Sequence, residues 1–261
     1  MRRAFTQRSI DLAVGAVLPL CLIGIWQWAS MQGDTQAFAF VPLQAIAAAF
    51  VELIQGGGLA ANITASLITA LKGLVVGGSA GLILGLAMAF WRPLGDLLNP
   101  LVQAMRQVPN LALIPLIGLW FGNTELSKLL VVSLSVFEVI VLNTYEGLHR
   151  VDVRYVEVGR VLRLSRVTAF RRILLPAALP SIATGLQHGV AFAWLATVGV
   201  ELLFTVGPGL SSVMERAQTA ARMEVVIVCL VFIALLGYAM HQCVCWATQR
   251  LLRWRHTAFA R

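Results

Sequence analysis

The chain has 261 residues, of which 59% are hydrophobic and 12% charged, against about 45–50% and about 25% in soluble globular domains. Its mean hydropathy is +0.81. So little polar surface cannot clothe a water-facing exterior, which excludes a soluble enzyme, a disordered regulator and a disulfide-stapled secreted domain, and makes lipid the solvent. The net charge of +8 comes from basic residues, mostly Arg, at the ends of apolar segments. No aromatic-rich basic surface accompanies them, which argues against nucleic acid.

Long apolar runs without strand alternation predict transmembrane helices, each needing about 20 apolar residues. Six candidates follow in chain order: 12–32, 62–91, 97–121, 126–145, 180–204 and 225–248. Arg2, Arg3 and Arg8 precede the first, and the Trp28-Ala29-Ser30 exit lacks a cleavage pattern, so it reads as an uncleaved anchor. The apolar stretch 35–51 carries Pro42 and reads as an interfacial or packed outer helix. Placing the N-terminus in the cytoplasm puts fifteen basic residues on the inner side and three (Lys128, Arg216, Arg222) on the outer. Cytoplasmic loops hold the excess of Lys and Arg, so the expected topology has both termini inside. Trp26, Trp28, Trp91, Trp120, Trp246 and Trp254 fall near span ends, as an aromatic belt requires.

Cys21, Cys229, Cys243 and Cys245 all lie in or beside apolar stretches and read as small buried apolar residues. The Cys243, Cys245 pair is too close for the usual zinc spacing, and no metal site is expected. Pro109 and Pro115 should kink the third span, either freeing carbonyls toward a cavity or as plain bends. Lys72, Arg106, Glu138 and Glu201 fall within spans or near their ends, where a central charge costs about 2.5–3.5 kcal/mol on insertion scales. Lys72 or Arg106 would attract an anion on a translocation path; the alternatives are internal pairing, which is the favoured reading for Arg106 and for Glu138, or snorkelling. The polar segment 207–223 either meets a partner or closes the outer surface.

The inner segment 147–180 is long for a connection and reads as two short helices. Val151, Tyr155, Val158 and Leu162 recur at helical spacing, with Arg154, Glu157, Arg160 and Arg163 as the charged remainder. Such a basic amphipathic segment suits either anionic lipid headgroups or a docking partner. The run Tyr155 to Arg163, then nine residues, then Ile173-Leu174-Leu175-Pro176 resembles the Glu-Ala-Ala loop of permease subunits in bacterial ABC importers. Val158 and Gly159 stand where that pattern has alanines, and Arg163 where it has glycine.

Pro109 to Leu116, Leu119-Trp120-Phe121-Gly122, Glu125 to Lys128, Leu142-Asn143-Thr144, Val200-Glu201-Leu202 and Gly207 to Leu210 are similar to the branch serving sulfonates, taurine and nitrate. The resemblance implies an all-α integral membrane protein of six helices with the importer-permease (MetI-like) fold. It further implies an anchor and outer segment at 1–61, a core at 62–248 with its coupling loop, and a basic tail at 249–261. Glu157, Val158, Gly159, Arg160, Leu162, Arg163, Leu164, Ile173, Leu175 and Pro176 would couple to an ATPase. Lys72, Arg106, Pro109, Pro115, Glu138 and Glu201 would serve the path or gate. Glu201 aligns with an acidic position common in the family.

The implied partners are ABC ATPase subunits, a second permease copy, an external substrate-binding protein and membrane lipid, in the bacterial cytoplasmic (inner) membrane. The chain has no Gly-x-x-x-x-Gly-Lys-Ser/Thr loop, so ATP and Mg would be held by the separate ATPase, and the chain itself is expected to bind no cofactor. Its four His are scattered and no nucleophile elbow is present, so no catalytic constellation is expected. The contrasting reading is a secondary carrier or channel independent of ATP. It lacks support from an inverted repeat and has no need of the Glu157 to Pro176 spacing.

Overall fold

The computed structural model describes residues 17–32, 40–204 and 206–253, which are helical with no strand among them. The chain divides into two compact units, Met1–Ala60 with Val213–Val231, and Ala61–Ser212 with Phe232–Arg261. The starts of the anchor and of the 35–51 segment, Arg2, Arg3 and Arg8, and the tail from Trp254 lie outside the described residues.

In the first unit, α1 (Val17–Ser30) precedes α2 (Leu43–Gln55). Pro42 starts α2, where its fixed φ is tolerated. Trp26 Nε1 donates to the Val41 carbonyl at 2.9 Å, so the half-buried indole satisfies its N–H. Arg222 grips the Glu52 carboxylate with both terminal nitrogens (2.9 and 2.6 Å) and reaches Glu224 at 3.0 Å. The guanidinium holds the Glu52 carboxyl below its usual range. That support is present at neutral pH and lost as pH falls through the lowered value.

The second unit begins within the first turn of α3 (Leu59–Phe90), which is followed by α4 (Arg92–Met105), whose first turn takes Pro93. The third expected span is not one kinked helix. It breaks after Met105, Pro109 adopts an extended conformation (φ −65°, ψ 120°), and a 3-10 turn (Asn110–Leu113) leads into α5 (Ile114–Phe121). Proline cannot donate into the ladder and pushes its predecessor out of the helical region, which ends α4 there. Pro115 causes no kink, because it occupies the first turn of α5.

After Gly122 (φ 73°), Thr124 caps α6 (Glu125–His149) by accepting from the Ser127 amide at 3.2 Å. Then come α7 (Val153–Val161), α8 (Arg166–Ala169), a π turn (Phe170–Leu174) and α9 (Leu175–Leu203). The segment expected as a second short helix is thus the start of a 38-residue helical run, Arg166–Leu203. The polar 207–223 segment is largely helical as α10 (Leu210–Thr219), with Ser211 and Ser212 buried. The last helix, α11, runs Met223–Leu251.

Three helices among the described residues are long and apolar enough to cross a membrane: Leu59–Phe90, Arg166–Leu203 and Met223–Leu251. Helix α6, which contains the 126–145 candidate, is instead wrapped by protein. Val131, Val132, Val136 and Ile140 form one core with Ile114, Ile117, Ala193, Ala196, Val200 and Phe204. Val141 and Tyr145 form a second with Met88 and Val102. Of the cysteines, only Cys229 is buried; Cys21 and Cys243 are exposed on apolar helices and Cys245 is half-buried, correcting the expectation of four buried thiols.

Glycines set the distance between α6 and its neighbours. Gly73, Gly77, Gly81 and Gly85 recur one turn apart on α3 and face α6. A Cβ at Gly81 would lie 2.8 Å from the Phe137 carbonyl, one at Gly85 2.8 Å from that of Val141, and one at Gly77 would overlap that of Ser133. On the other side, a Cβ at Gly185 of α9 would lie 2.6 Å from Cβ of Asn143. Without a hydrophobic drive between helices in lipid, such close backbone contact is the main source of cohesion.

Gly77→Ala should therefore lower the melting temperature of the detergent-solubilised protein. Overpacking against a backbone carbonyl costs about 1–3 kcal/mol, more than the roughly 1 kcal/mol of helix propensity that Ala gains over Gly. Gly24→Ala, with open space around it, should leave the melting temperature unchanged or raise it.

Candidate functional site

Helix α7 is a short connector element whose two ends are both fixed by local chemistry. Asp152 accepts from the Arg154 amide at 2.9 Å and caps its start. At its other end the Arg163 amide donates to the Arg160 carbonyl (2.9 Å) and the Leu164 amide to that of Gly159 (3.0 Å). This is the paired-bond ending in which the residue after the cap turns left-handed. That residue is Arg163, with φ 51°.

The position where the importer pattern has glycine is therefore one where the backbone itself favours glycine. A side chain there brings Cβ close to the following carbonyl, a strain of about 1–2 kcal/mol.

One side of α7 meets its own chain. Gly159 is buried, and a Cβ added to it would lie 3.3 Å from Ile173 Cδ1 and 3.7 Å from Ala169 Cβ. The spacing between Gly159 and Ile173 thus corresponds to a direct contact, with Val156 and Leu164 also half-buried. Beside it lies a hollow of about 160 Å³ lined by Tyr155, Gly159, Arg160, Arg166 and Ile173 among others.

The other side is bare. Val158 is 51% exposed, Tyr155 56%, Leu162 62% and Val161 81%. The apolar face expected from Tyr155, Val158 and Leu162 exists, but it points away from the protein. Glu157, Arg160 and Arg163 are exposed around it, while Val151 is half-buried.

Past α7, Ser165 caps α8 by accepting from the Thr168 amide at 3.2 Å. The Leu175 amide reaches back five residues to the Phe170 carbonyl, which makes the turn π-helical just before Pro176, a residue with no N–H to give. Ile173, Leu175 and Pro176 are half-buried along this stretch.

The candidate path residues separate into two groups. Lys72, Arg106, Pro109 and Pro115 are exposed. Glu138 and Glu201 are buried, at 6% and 2% exposure. Glu138 Oε2 accepts from Asn110 Nδ2 at 3.0 Å, which ties the broken third segment to α6. The direct partner of Glu138 is thus Asn110.

Glu201 stands near the end of α9. Its Oε2 accepts from Ser66 Oγ at 2.9 Å and from the Ser211 amide at 3.1 Å. Ser66 Oγ also accepts from the Leu210 amide (2.9 Å), and Asn62 Oδ1 from the Gly209 amide (2.9 Å). Lys128, expected as an outer-side charge, is 1% exposed. Its Nζ donates to Glu125 Oε1 at 3.1 Å and to the Val206 carbonyl. Asn62 and Ser66, one turn apart in an apolar run, were the available signal for this cluster and lay outside the sequence candidates. Among the described residues no group of His, Cys, Asp or Glu is placed to hold a metal.

Residues 77–252 match the family described as binding-protein-dependent transport system inner membrane component. The chain belongs to this family of ABC-transporter permeases. It is 32% identical over 243 residues to SsuC of Bacillus subtilis (strain 168), a permease protein named for aliphatic sulfonates transport, covering 93% of this chain and 88% of that one. It is 29% identical over 254 residues to the nitrate import permease protein NrtB of Leptolyngbya laminosa, covering 94% and 88%. Among solved structures, the fold resembles that of "an amino acid ABC transporter with histidines", with a TM-score of 0.63 and 17% identity over 77% of this chain and 98% of that one. The permease is therefore a multi-pass membrane protein of the importer fold.

Because Arg163 holds a left-handed backbone in the permease, Arg163→Gly should stabilise the end of α7 by about 1 kcal/mol, while the β-branched Arg163→Val should weaken it further. Hydrogen exchange at the Leu164 amide reads this directly, slowing in the first variant and accelerating in the second.

Proposed function

We propose that the chain is the translocation subunit of an ATP-driven, binding-protein-dependent importer of small oxyanions, of the alkanesulfonate, taurine or nitrate type. It spans the bacterial cytoplasmic membrane six times with both termini inside. Residues 1–61 anchor it, 62–248 form the core and 249–261 a basic tail. It works as a dimer, with an external binding protein delivering substrate and two ATPase subunits carrying ATP and Mg. The relatives' names for sulfonates and nitrate support the substrate class, and the basic excess on one side supports the orientation.

The observation that carries the coupling role is the bare apolar face of α7 on a helix fixed at both ends. Tyr155, Val158 and Leu162 offer burial worth about 1.5–3 kcal/mol for each apolar side chain taken fully out of water. Glu157, Arg160 and Arg163 at the rim contribute mainly register and partner choice, since exposed pairs are worth about 0–1 kcal/mol. Affinity thus comes from the apolar residues and specificity from the charges. On the far side Gly159 and Ile173 hold α7 to the start of the α9 run, so a push on α7 moves that helix.

The test is recovery of the ATPase with the tagged permease after mild extraction. Val158→Asp with Leu162→Asp should abolish recovery. Reversing both charges, Glu157→Arg with Arg163→Glu, should weaken it by roughly tenfold or less. Undiminished recovery from both double variants would contradict the assignment of this helix.

A further inference from the structure

Helix α9 belongs to one uninterrupted run, Arg166–Leu203, which at 1.5 Å per residue is roughly 55 Å long. Its first turns hold Ile173 against Gly159. Its last turn holds Glu201. The loop that follows, 206–211, is fixed through its backbone to three helices. Glu201 of α9 takes the Ser211 amide, Ser66 and Asn62 of α3 take the Leu210 and Gly209 amides, and Lys128 of α6 takes the Val206 carbonyl. Ser212 Oγ also donates to the Glu201 carbonyl at 3.2 Å.

Two of these amides are among the first N–H groups of α10, which no helical carbonyl can satisfy. Side chains from other helices therefore replace the local cap. Glu201 is the joint among them, because one carboxylate oxygen serves both Ser66 of α3 and the first turn of α10. Gly209 is needed for the fit, since a Cβ there would lie 2.6–2.9 Å from the carboxylate atoms.

We infer that Glu201 is a positioning residue that fastens the 206–211 loop to the far end of α9, so that displacement of α9 at the α7 end is transmitted to this loop. The inference rests on the importer reading above. A coupling claim requires an element whose arrangement both ends bias, and one continuous helical run, Arg166–Leu203, tied at each end is the candidate element. The tie needs an acceptor at Oε2 and no net charge transfer, so a Gln side chain, with its carbonyl oxygen in that place, preserves it.

The experiment uses the permease reconstituted with its ATPase, with the native cysteines replaced and a reporter Pro208→Cys on the exposed turn of the loop. Labelling by a membrane-impermeant maleimide is measured with and without ATP. In the otherwise unsubstituted protein, ATP should change the labelling rate. With Glu201→Ala that ATP-dependent change should fall by roughly 2- to 30-fold while ATP hydrolysis continues, and Glu201→Gln should restore it.

An undiminished change with Glu201→Ala overturns the proposal, as does a Glu201→Gln variant that fails as completely as the alanine. If Glu201→Ala does not assemble, Ser66→Ala, which removes one donor to the same oxygen, should give a partial loss, and a full response overturns the proposal. Absence of any ATP effect in the unsubstituted protein overturns the importer reading and this inference with it.

Discussion

Four glycines spaced one turn apart on α3 let its backbone lie against α6, and three of them would bring a Cβ into a carbonyl of that helix. In water a hydrophobic face would hold two helices together whatever their exact separation. In lipid the surroundings are as apolar as the side chains, so contact distance carries the cohesion. Glycine removes the one atom that would keep the backbones apart. Helix α6 can then be enclosed by α3, α5 and α9, and an enclosed helix tolerates what a lipid-facing one does not. That is why Lys128 and Glu138 sit on α6 with polar partners, the Val206 carbonyl and the Asn110 amide, supplied by other segments.

Two linked consequences connect this packing to transport. The third apolar segment cannot run straight past α6; it breaks at Pro109 and is tied back by Asn110 to Glu138. The α9 run packs along α6 for much of its length and carries a different connection at each end. One end receives Gly159 of α7 and the other anchors a loop through Glu201. The only wide turn in the described part of this run, Phe170–Leu174, lies at the α7 end, ahead of Pro176.

The importer loop was legible in the sequence because its spacing is a contact. Ile173 falls on Gly159, and position 163 is a left-handed helix ending, so residue type and interval follow from geometry. Arg163 looked like a departure of unknown weight; the φ of 51° gives that departure a local physical meaning. Periodicity also located the apolar face of Tyr155, Val158 and Leu162. It could not tell which side of α7 the protein itself uses, because small Gly159 packs as closely as any large residue.

Other features were less visible for equally specific reasons. Hydropathy treats Pro109 and Pro115 alike, yet one ends a helix and the other begins one, since the cost of proline depends on its place in the turn. Lys128 follows a turn and precedes an apolar run, which is how a surface charge reads. Its burial depends on the carbonyl of Val206, 78 residues away. Asn62 and Ser66 looked incidental in an apolar helix because their acceptor role exists only once α10 begins beside them. Local rules found the elements; the polar ties between distant segments required the fold.

In the proposed function, this chain moves its substrate with energy delivered by ATP to the face that carries α7. The most direct measurement is uptake of an alkanesulfonate or nitrate by proteoliposomes containing the chain, its ATPase and its binding protein, comparing ATP on that face with an imposed proton or sodium gradient. Uptake that follows ATP, ignores the gradient and requires all three components is the predicted result. Uptake by the chain alone, driven by the gradient, would contradict it.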